Sequence, residues 1–514
     1  MTIETFSNRR DLVSRLEEAK KQDPRNEPVR VHFDGYDQPL HVYPASVRKH
    51  PKGGVLLAGR YDDRDVLFIL GKESIRVMKE YDGKIILRHS DFSVKKCRWT
   101  RGVAEKIRKD FPVFAPSSEQ KGQVSLSFGD ILGLGGKAQL RIFKGRADLA
   151  FSRQCVHQLE KLDIHPLDAI DAITRTIFQE GYEEGYFAEA CHITTPDELR
   201  TMLSAGYTRF SLELSSPTLL SAREKPKKEL LASMFELPWI ELRDKFELMF
   251  NRYKGNRIDL EPVRFSGDEE QQDQEMVKIM PNEAEILAAI RMLGGIIIQI
   301  EQMEKVLMDE GRRDDVILEV SFARSEGTLT PFELYFLVSE LLRHDVRLDY
   351  VAPGEPEAAH WAVAHNTRLT GLSGALSHLD NIPHVASGLR FHGVVEDISY
   401  FTAMQCISEN DAGLFRQIWT HSRNVLEQVK EESGLDLNIQ RFPSHKEYAD
   451  EDLPKLLEKE HAGLFLNHTM TEVFAKKDDQ GRRYLRTAVF DFLRKYESEY
   501  TDALAIRYQE IINQ

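Results

Sequence analysis

The chain has 514 residues, 41% of them hydrophobic and 30% charged, the make-up of an ordinary globular protein with room for more than one domain. Its net charge of −14 excludes the basic surface that nucleic-acid binding normally needs, but not a small anionic substrate in a locally positive cleft. Cys97, Cys155, Cys191 and Cys406 are scattered without a C-x-x-C pair, which disfavours a disulfide framework or structural zinc and suits a reducing, cytoplasmic setting.

The opening M-T-I-E-T-F-S-N-R-R-D lacks the apolar core of a signal peptide, and a charged helix is expected from Arg9 to Lys21. From Val29 the period shortens to about two. V-R-V-H-F, L-H-V-Y-P, G-V-L-L-A-G, D-V-L-F-I-L and K-I-I-L-R-H read as short strands. A basic helix (Val103 to Lys109) and a proline-containing link (Pro112 to Pro116) follow. Residues 1–118 therefore form an N-terminal α+β lobe and 119–514 a second domain. The basic run Arg48-Lys49-His50-Pro51-Lys52 reads as a solvated loop.

The second domain opens with a strand, Val124 to Phe128, that runs into G-D-I-L-G-L-G-G-K. The glycines permit close backbone approach, but the hydroxyl of a phosphate loop is missing. A strand-end aspartate, Asp130, in a glycine-rich turn is the better reading. Helices are expected at 151–161, 166–184 and Pro196 to Ala205. The apolar segment Tyr186 to Ala190 leads directly into Cys191-His192, after which Thr195, Pro196 and Glu198 make a capping box. A strand spans Thr208 to Leu214 and carries Glu213. Lys227 to Tyr253 is mostly helical with a break near Pro238, and 267–274 is an acidic surface excursion.

Asn282 with Glu285 caps a long helix reaching about Gly311; its most apolar window, Met292 to Ile300, is too short to span a bilayer. D-D-V-I-L-E-V-S-F is a strand, and Thr330-Pro331-Phe332-Glu333 repeats the capping device. Strands at 346–353, 388–393 and 435–443, an apolar turn at 464–469 and a closing helix from Tyr484 to Ile512 complete the chain. Strands alternating with helices imply a parallel sheet. An elaborated (β/α)8 barrel of the TIM type is the leading architecture and an open doubly wound sheet the runner-up.

In such a barrel the polar residues at or within the strands, Asp130, Cys191, His192, Glu213, Glu319, Asp349, His392, Asn438 and His468, converge on one mouth. Two imidazoles with carboxylates suit a divalent cation (Zn, Mn, Ni or Fe) that polarises a sugar carbonyl or hydroxyl while a carboxylate moves the proton. Glu319 lies between Leu318 and Val320 in an apolar strand. It must pair with a cation or serve as an acid/base whose pKa burial raises. His192 can be a ligand, a base or a turn residue. On a regular strand Cys191 points away from it, so the two need not meet.

Taken together, H-V-Y-P-A-S (41–46), S-L-S-F-G-D-I-L-G-L (125–134), F-Q-E-G-Y (178–182), C-H-I-T-T-P-D-E-L with A-G-Y-T-R-F (191–210), G-N-R-I-D-L (255–260), L-E-V-S with T-P-F-E-L-Y-F (318–336), V-A-P (351–353) and the closing helix with Tyr500 resemble the tagaturonate epimerases. These are bacterial enzymes of hexuronate catabolism that interconvert tagaturonate and fructuronate with a divalent metal. The resemblance implies a barrel, a metal site and a hexuronate-like substrate, with His192, Glu319 and His392 at matching functional positions. On that basis His192, His392 and Asn438 are the metal ligands and Glu319 and Cys191 are catalytic. Asp130, Gln179, Glu180, Arg324 and His468 are the substrate contacts.

The chain departs from the family at Cys191-His192, where the family has Asp-His, and at Ile131, where it has Arg. After His392 the family continues S-G-S-D-K, but here G-V-V-E-D (393–397) follows, and a family H-x-K-T-A-G is replaced around Asn438. A lysine, an arginine and an acid/base are lost together. The expectation is a divergent sugar-acid epimerase or isomerase with an altered substrate. The alternative is an inactive relative that senses or binds a sugar ligand. A homo-oligomer is allowed for, and neither nucleic acid nor membrane is expected as a partner.

Overall fold

A computed structural model describes residues 2–6, 9–23, 25–33, 36–62, 64–89, 91–214, 221–265, 276–322, 328–376, 388–395, 398–433, 444–459 and 462–513. The chain divides into two compact units. One is Met1–Pro116 with Gly133–Lys144 and His165–Tyr186; the other is Ser117–Leu132 with Gly145–Ile164 and Phe187–Gln514. The leading segment of the first unit ends two residues from the expected boundary at 118. Two later stretches, carrying the helices Gly136–Phe143 and Pro166–Glu180, group with it.

In the first unit β1 (Thr2–Phe6), β2 (Val29–Phe33), β3 (Tyr36–Val42), β4 (Arg48–Lys49), β5 (Val55–Tyr61), β6 (Arg64–Gly71), β7 (Lys84–Arg88) and β8 (Ser93–Arg98) form one sheet. Its order is β1-β2-β3-β5-β6-β8-β7, with β4 alongside β5. The helix Arg9–Gln22 lines up Leu12, Leu16 and Ala19 on one stripe that meets Val31, Val42, Leu57 and Phe68 of the sheet. The helix Pro166–Glu180 buries Ile170, Ile177 and Phe178, and Phe178 packs edge-on to Trp99 and Phe114 at 5.9 and 5.3 Å. It stops at Gly181, whose φ of +63° and contact with the Ala45 carbonyl leave no room for a Cβ.

The run at 48–52 is solvated only in part: Lys49, Pro51 and Lys52 are exposed, but Arg48 and Lys49 form β4 against β5 and His50 is buried. Arg48 donates to the Ala45 and Val47 carbonyls at 3.0 and 2.7 Å and pairs with Glu183 at 2.6 Å, and buried His50 meets Asp110 at 3.0 Å.

In the second unit come β9 (Val124–Gly129), β10 (Asp148–Cys155), β11 (Glu189–Ile193), β12 (Arg209–Leu212), β13 (Ile258–Leu260), β14 (Val277–Ile279), β15 (Ile317–Ser321), β16 (Tyr350–Ala352), β17 (Gly371–Ala375) and β18 (Arg390–Val395). The strands β13 and β14 form a separate antiparallel pair. The other eight close into a parallel barrel in the order β9-β10-β11-β12-β15-β16-β17-β18, with β18 bonded back to β9. This is the expected (β/α)8 architecture rather than the open sheet.

Several elements depart from expectation. Residues 151–155, expected as the start of a helix, belong to β10, and the helix begins at Val156. A strand covered on both faces shows no alternation, so its apolar spacing mimics a helix. The strand β17, G-L-S-G-A, carries too little strand propensity to be read from sequence. Asp349 precedes β16, at the N-terminal rather than the C-terminal end, and accepts from Arg313 at 3.1 Å and the Leu318 amide at 2.9 Å. His468 is exposed within the helix Ala462–Ala475 rather than at an apolar turn. The expected strand 435–443 lies outside the described residues.

All three capping boxes form as read, at Thr195/Glu198, Asn282/Glu285 and Thr330/Glu333. The helix Asn282 opens, Glu283–Asp309, could cross a bilayer by length and composition, but 72% of its most apolar 18-residue stretch is buried within the protein. The closing helix is two, Tyr484–Lys495 and Glu497–Asn513, and Tyr508 of the second packs on Phe128 at 5.4 Å.

Candidate active site in the barrel lumen

Side chains along a barrel strand point alternately into the lumen and out toward the helices. Phe128 faces outward onto Tyr508, so Ser125 and Ser127 face inward. Near the N-terminal ends of the strands, Ala150, Phe187, Ile317 and Tyr350 form an apolar cluster. Next comes a charged level of Arg153, Glu189, Arg209, Glu319, Ser373 and His392. Two residues beyond Ser125, Arg153, Glu189, Glu319 and Tyr350 along their strands lie Ser127, Cys155, Cys191, Ser321 and Ala352. These small side chains sit beneath the rim where barrels of this kind assemble chemistry.

The charged level is one connected network. Glu189 accepts from Arg153 Nε at 2.6 Å through Oε1 and from His392 Nε2 at 3.0 Å through Oε2. Glu319 accepts from Arg209 at 2.5 Å, from Ser211 at 2.9 Å and from Ser373 at 2.5 Å. Arg209 lies 4.4 Å from the Tyr350 ring centroid and 3.8 Å from Glu189. Burial lowers the His392 pKa further than Glu189 restores it, so its imidazole is neutral. It donates from Nε2 to the carboxylate and accepts the Ser125 hydroxyl at Nδ1, 2.8 Å away. Burial alone would raise the Glu189 and Glu319 carboxyls, but it is outweighed, chiefly by Arg153 at Glu189 and by Arg209 at Glu319. Both sit below the usual carboxylate range. Glu319 is therefore an anchored carboxylate: of the two readings its apolar strand allowed, pairing with a cation is the one observed, not the raised pKa.

At the rim the register of β11 against β12 shifts between Ala190 and Ile193, and His192 takes a left-handed φ of +56°. That conformation is uncommon for a histidine and is the kind of local strain that collects at functional sites. The bulge breaks the strict alternation expected at this point. Cys155 and Cys191 are register partners on β10 and β11. Cys191 first, and then His192, favour the Cys155 thiolate against its burial, while the Cys191 thiol is pushed well up. His192 Nδ1, Ser127 Oγ and Arg209 Nε and Nη1 are buried with no hydrogen-bond partner among the described residues.

The sequence profile of the tagaturonate epimerase family matches residues 43–355 and 381–513. The chain belongs to the tagaturonate epimerase family. A tagaturonate/fructuronate epimerase from Thermotoga maritima is 24% identical over 503 residues, 93% of this chain and 97% of that protein. The fold matches crystal structures of the fructuronate-tagaturonate epimerase from Cohnella laeviribosi. A glycerol complex gives a TM-score of 0.77 at 20% identity over 98% of this chain and 99% of that one, and the native form gives 0.75 at 21% over 92% and 96%. Family membership makes the chain a sugar-acid epimerase of the isomerase class.

Of the residues singled out from sequence in this family member, Cys191, His192, Glu319 and His392 all lie in barrel strands, and Asp130 is buried just beyond β9. Gln179 and Glu180 end the helix Pro166–Glu180 in the other unit, where Asn26 donates to the Gln179 carbonyl at 2.9 Å. Arg324 and Asn438 lie outside the described residues. Among the described residues no three His, Cys, Asp or Glu side chains group closely enough to hold a metal ion. His392 engages both ring nitrogens with Ser125 and Glu189, so the described donors do not fit the metal site the resemblance implies.

Arg153, Cys155, Glu189, Arg209 and Ser373 are the site residues that the sequence reading missed. Two were accessible to the argument used for Glu319. Arg209 sits in T-R-F-S-L and Glu189 in F-A-E-A-C, each a charge in an apolar strand. Arg153 and Cys155 were hidden by the helical reading of β10.

Proposed function

We propose that the chain epimerises a ketohexuronate of the tagaturonate and fructuronate type, or a closely related sugar acid, in the barrel lumen. The observation that carries this reading is the family match, which runs through every barrel strand except β17. The lumen supports it with the groups the task needs. Ser127 Oγ is a buried hydrogen-bonding atom suited to a sugar hydroxyl. His192, Cys155 and Cys191 line one edge of the rim, where a proton can be taken from or returned to the sugar. Glu189 and Glu319 hold the two arginines in place.

The substitutions at Cys191 and Ile131 motivate a substrate altered from that of the family. A second reading, sugar-acid binding without turnover, draws on Glu319, the expected proton carrier, which is occupied by three hydrogen bonds. Incubation with ketohexuronates, aldonates and ketoses, followed by NMR in D₂O, tests both. A new epimer from a ketohexuronate is expected, and deuterium at one carbon would identify proton transfer. Binding with no epimer from any sugar acid would overturn the enzymatic reading.

A further inference from the structure

The lumen holds two arginines, and their environments assign them different tasks. Arg209 has no exposed side-chain surface, lies against the Tyr350 ring, and directs one terminal nitrogen to both Glu319 and Ser373. It is enclosed by protein. Arg153 stands two residues from the C-terminal end of β10, past the point where the register against β9 shifts between Ala150 and Arg153. Its side chain keeps 17% of its surface exposed, whereas its partner Glu189 has none.

We propose that Arg153 is the residue that receives the substrate's carboxylate. The inference rests on the sugar-acid reading above and adds the group that selects the acid. Glu189 grips the guanidinium from the side, through Nε at 2.6 Å. That leaves the end-on pair, Nη1 and Nη2, whose parallel donors match the two oxygens of a carboxylate. The grip is itself braced, because Glu189 Oε2 accepts from His392 at 3.0 Å and faces Arg209 at 3.8 Å. A guanidinium immobilised in advance loses little freedom when the ligand arrives.

The test is calorimetric binding of tagaturonate and of tagatose, its uncharged counterpart, to the full-length wild type, Arg153→Lys and Arg153→Gln. The wild type should prefer the acid by on the order of 30-fold. Arg153→Lys keeps the charge and the Glu189 pair but lacks the fork, and should lose about tenfold of that preference. Arg153→Gln should lose it all, with tagatose binding unchanged throughout. Should Arg153→Gln fail to fold, the lysine variant carries the comparison. An acid preference unaltered in the variants overturns the assignment, as does a wild type with none. The preference without turnover leaves the anchor standing and removes the epimerase reading. Undiminished turnover of tagaturonate by Arg153→Gln does the reverse.

Discussion

In the lobe, the space between sheet and helix is filled by Leu16, Val31, Leu57, Phe68 and Val94, and ionic groups such as the cluster around Asp110 lie outside that apolar core. In the barrel, the lumen itself holds Glu189, Arg209, Glu319 and His392, each 1% exposed or less. An apolar core loses roughly what each side chain contributes when that side chain is trimmed. A buried ionic core behaves otherwise, because removing one member leaves its partners charged, unpaired and out of water. The same lock fixes an arginine in position, and that suits binding an anion better than carrying protons.

The largest expected effect sits in the lumen. Arg209→Met should cost about 4 kcal/mol in urea unfolding, since Glu319 and Glu189 lose their shared cation. The double variant Arg209→Met/Glu319→Leu should recover more than half of that loss. A single variant costing under about 1 kcal/mol would erase the contrast between the two cores. In the lobe, Phe68→Ala should cost about 3 kcal/mol through cavity formation alone, with no partner substitution that rescues it.

Two pH effects sharpen the contrast further. Burial raises the Glu180 carboxyl to about 7, against the pull of Lys137, Asn26 and Arg141. The folded value exceeds the unfolded one, so this group's contribution is full below about pH 4.5 and is lost as pH rises through 7. Glu180→Gln, which stays neutral, should therefore gain on the order of 2 kcal/mol over the wild type at pH 8 and nothing at pH 4. Asp110 runs the other way. Burial is outweighed by bonds from Lys106, His50 and Tyr81, which hold its carboxyl below the usual range. Its contribution is present above the unfolded value near 4 and lost as pH falls. Asp110→Asn should be about 1 kcal/mol less stable than the wild type at pH 7, with the gap closing below pH 4 in chemical unfolding.

Much of the frame was legible in the sequence because its signals are local. The caps at Thr195, Asn282 and Thr330 each rest on a side chain reaching an amide three residues on, and all three formed. Alternating strand and helix patterns pointed to the barrel, and motifs spread along the chain pointed to the family. The site was legible only in part. Glu319 was legible as a charge in an apolar strand and Cys191, His192 and His392 as polar residues at strand ends, but what each one does depends on partners the spacing cannot reveal. Glu319 meets Arg209, 110 residues earlier, and Ser373 on a strand with no clear signature. His392 meets Ser125, 267 residues away, and Glu189. The bulge that turns His192 toward Cys155, and the strand that carries Arg153 into the lumen, follow from barrel closure. Closure sets the register between strands distant in the chain, and register decides which charges meet.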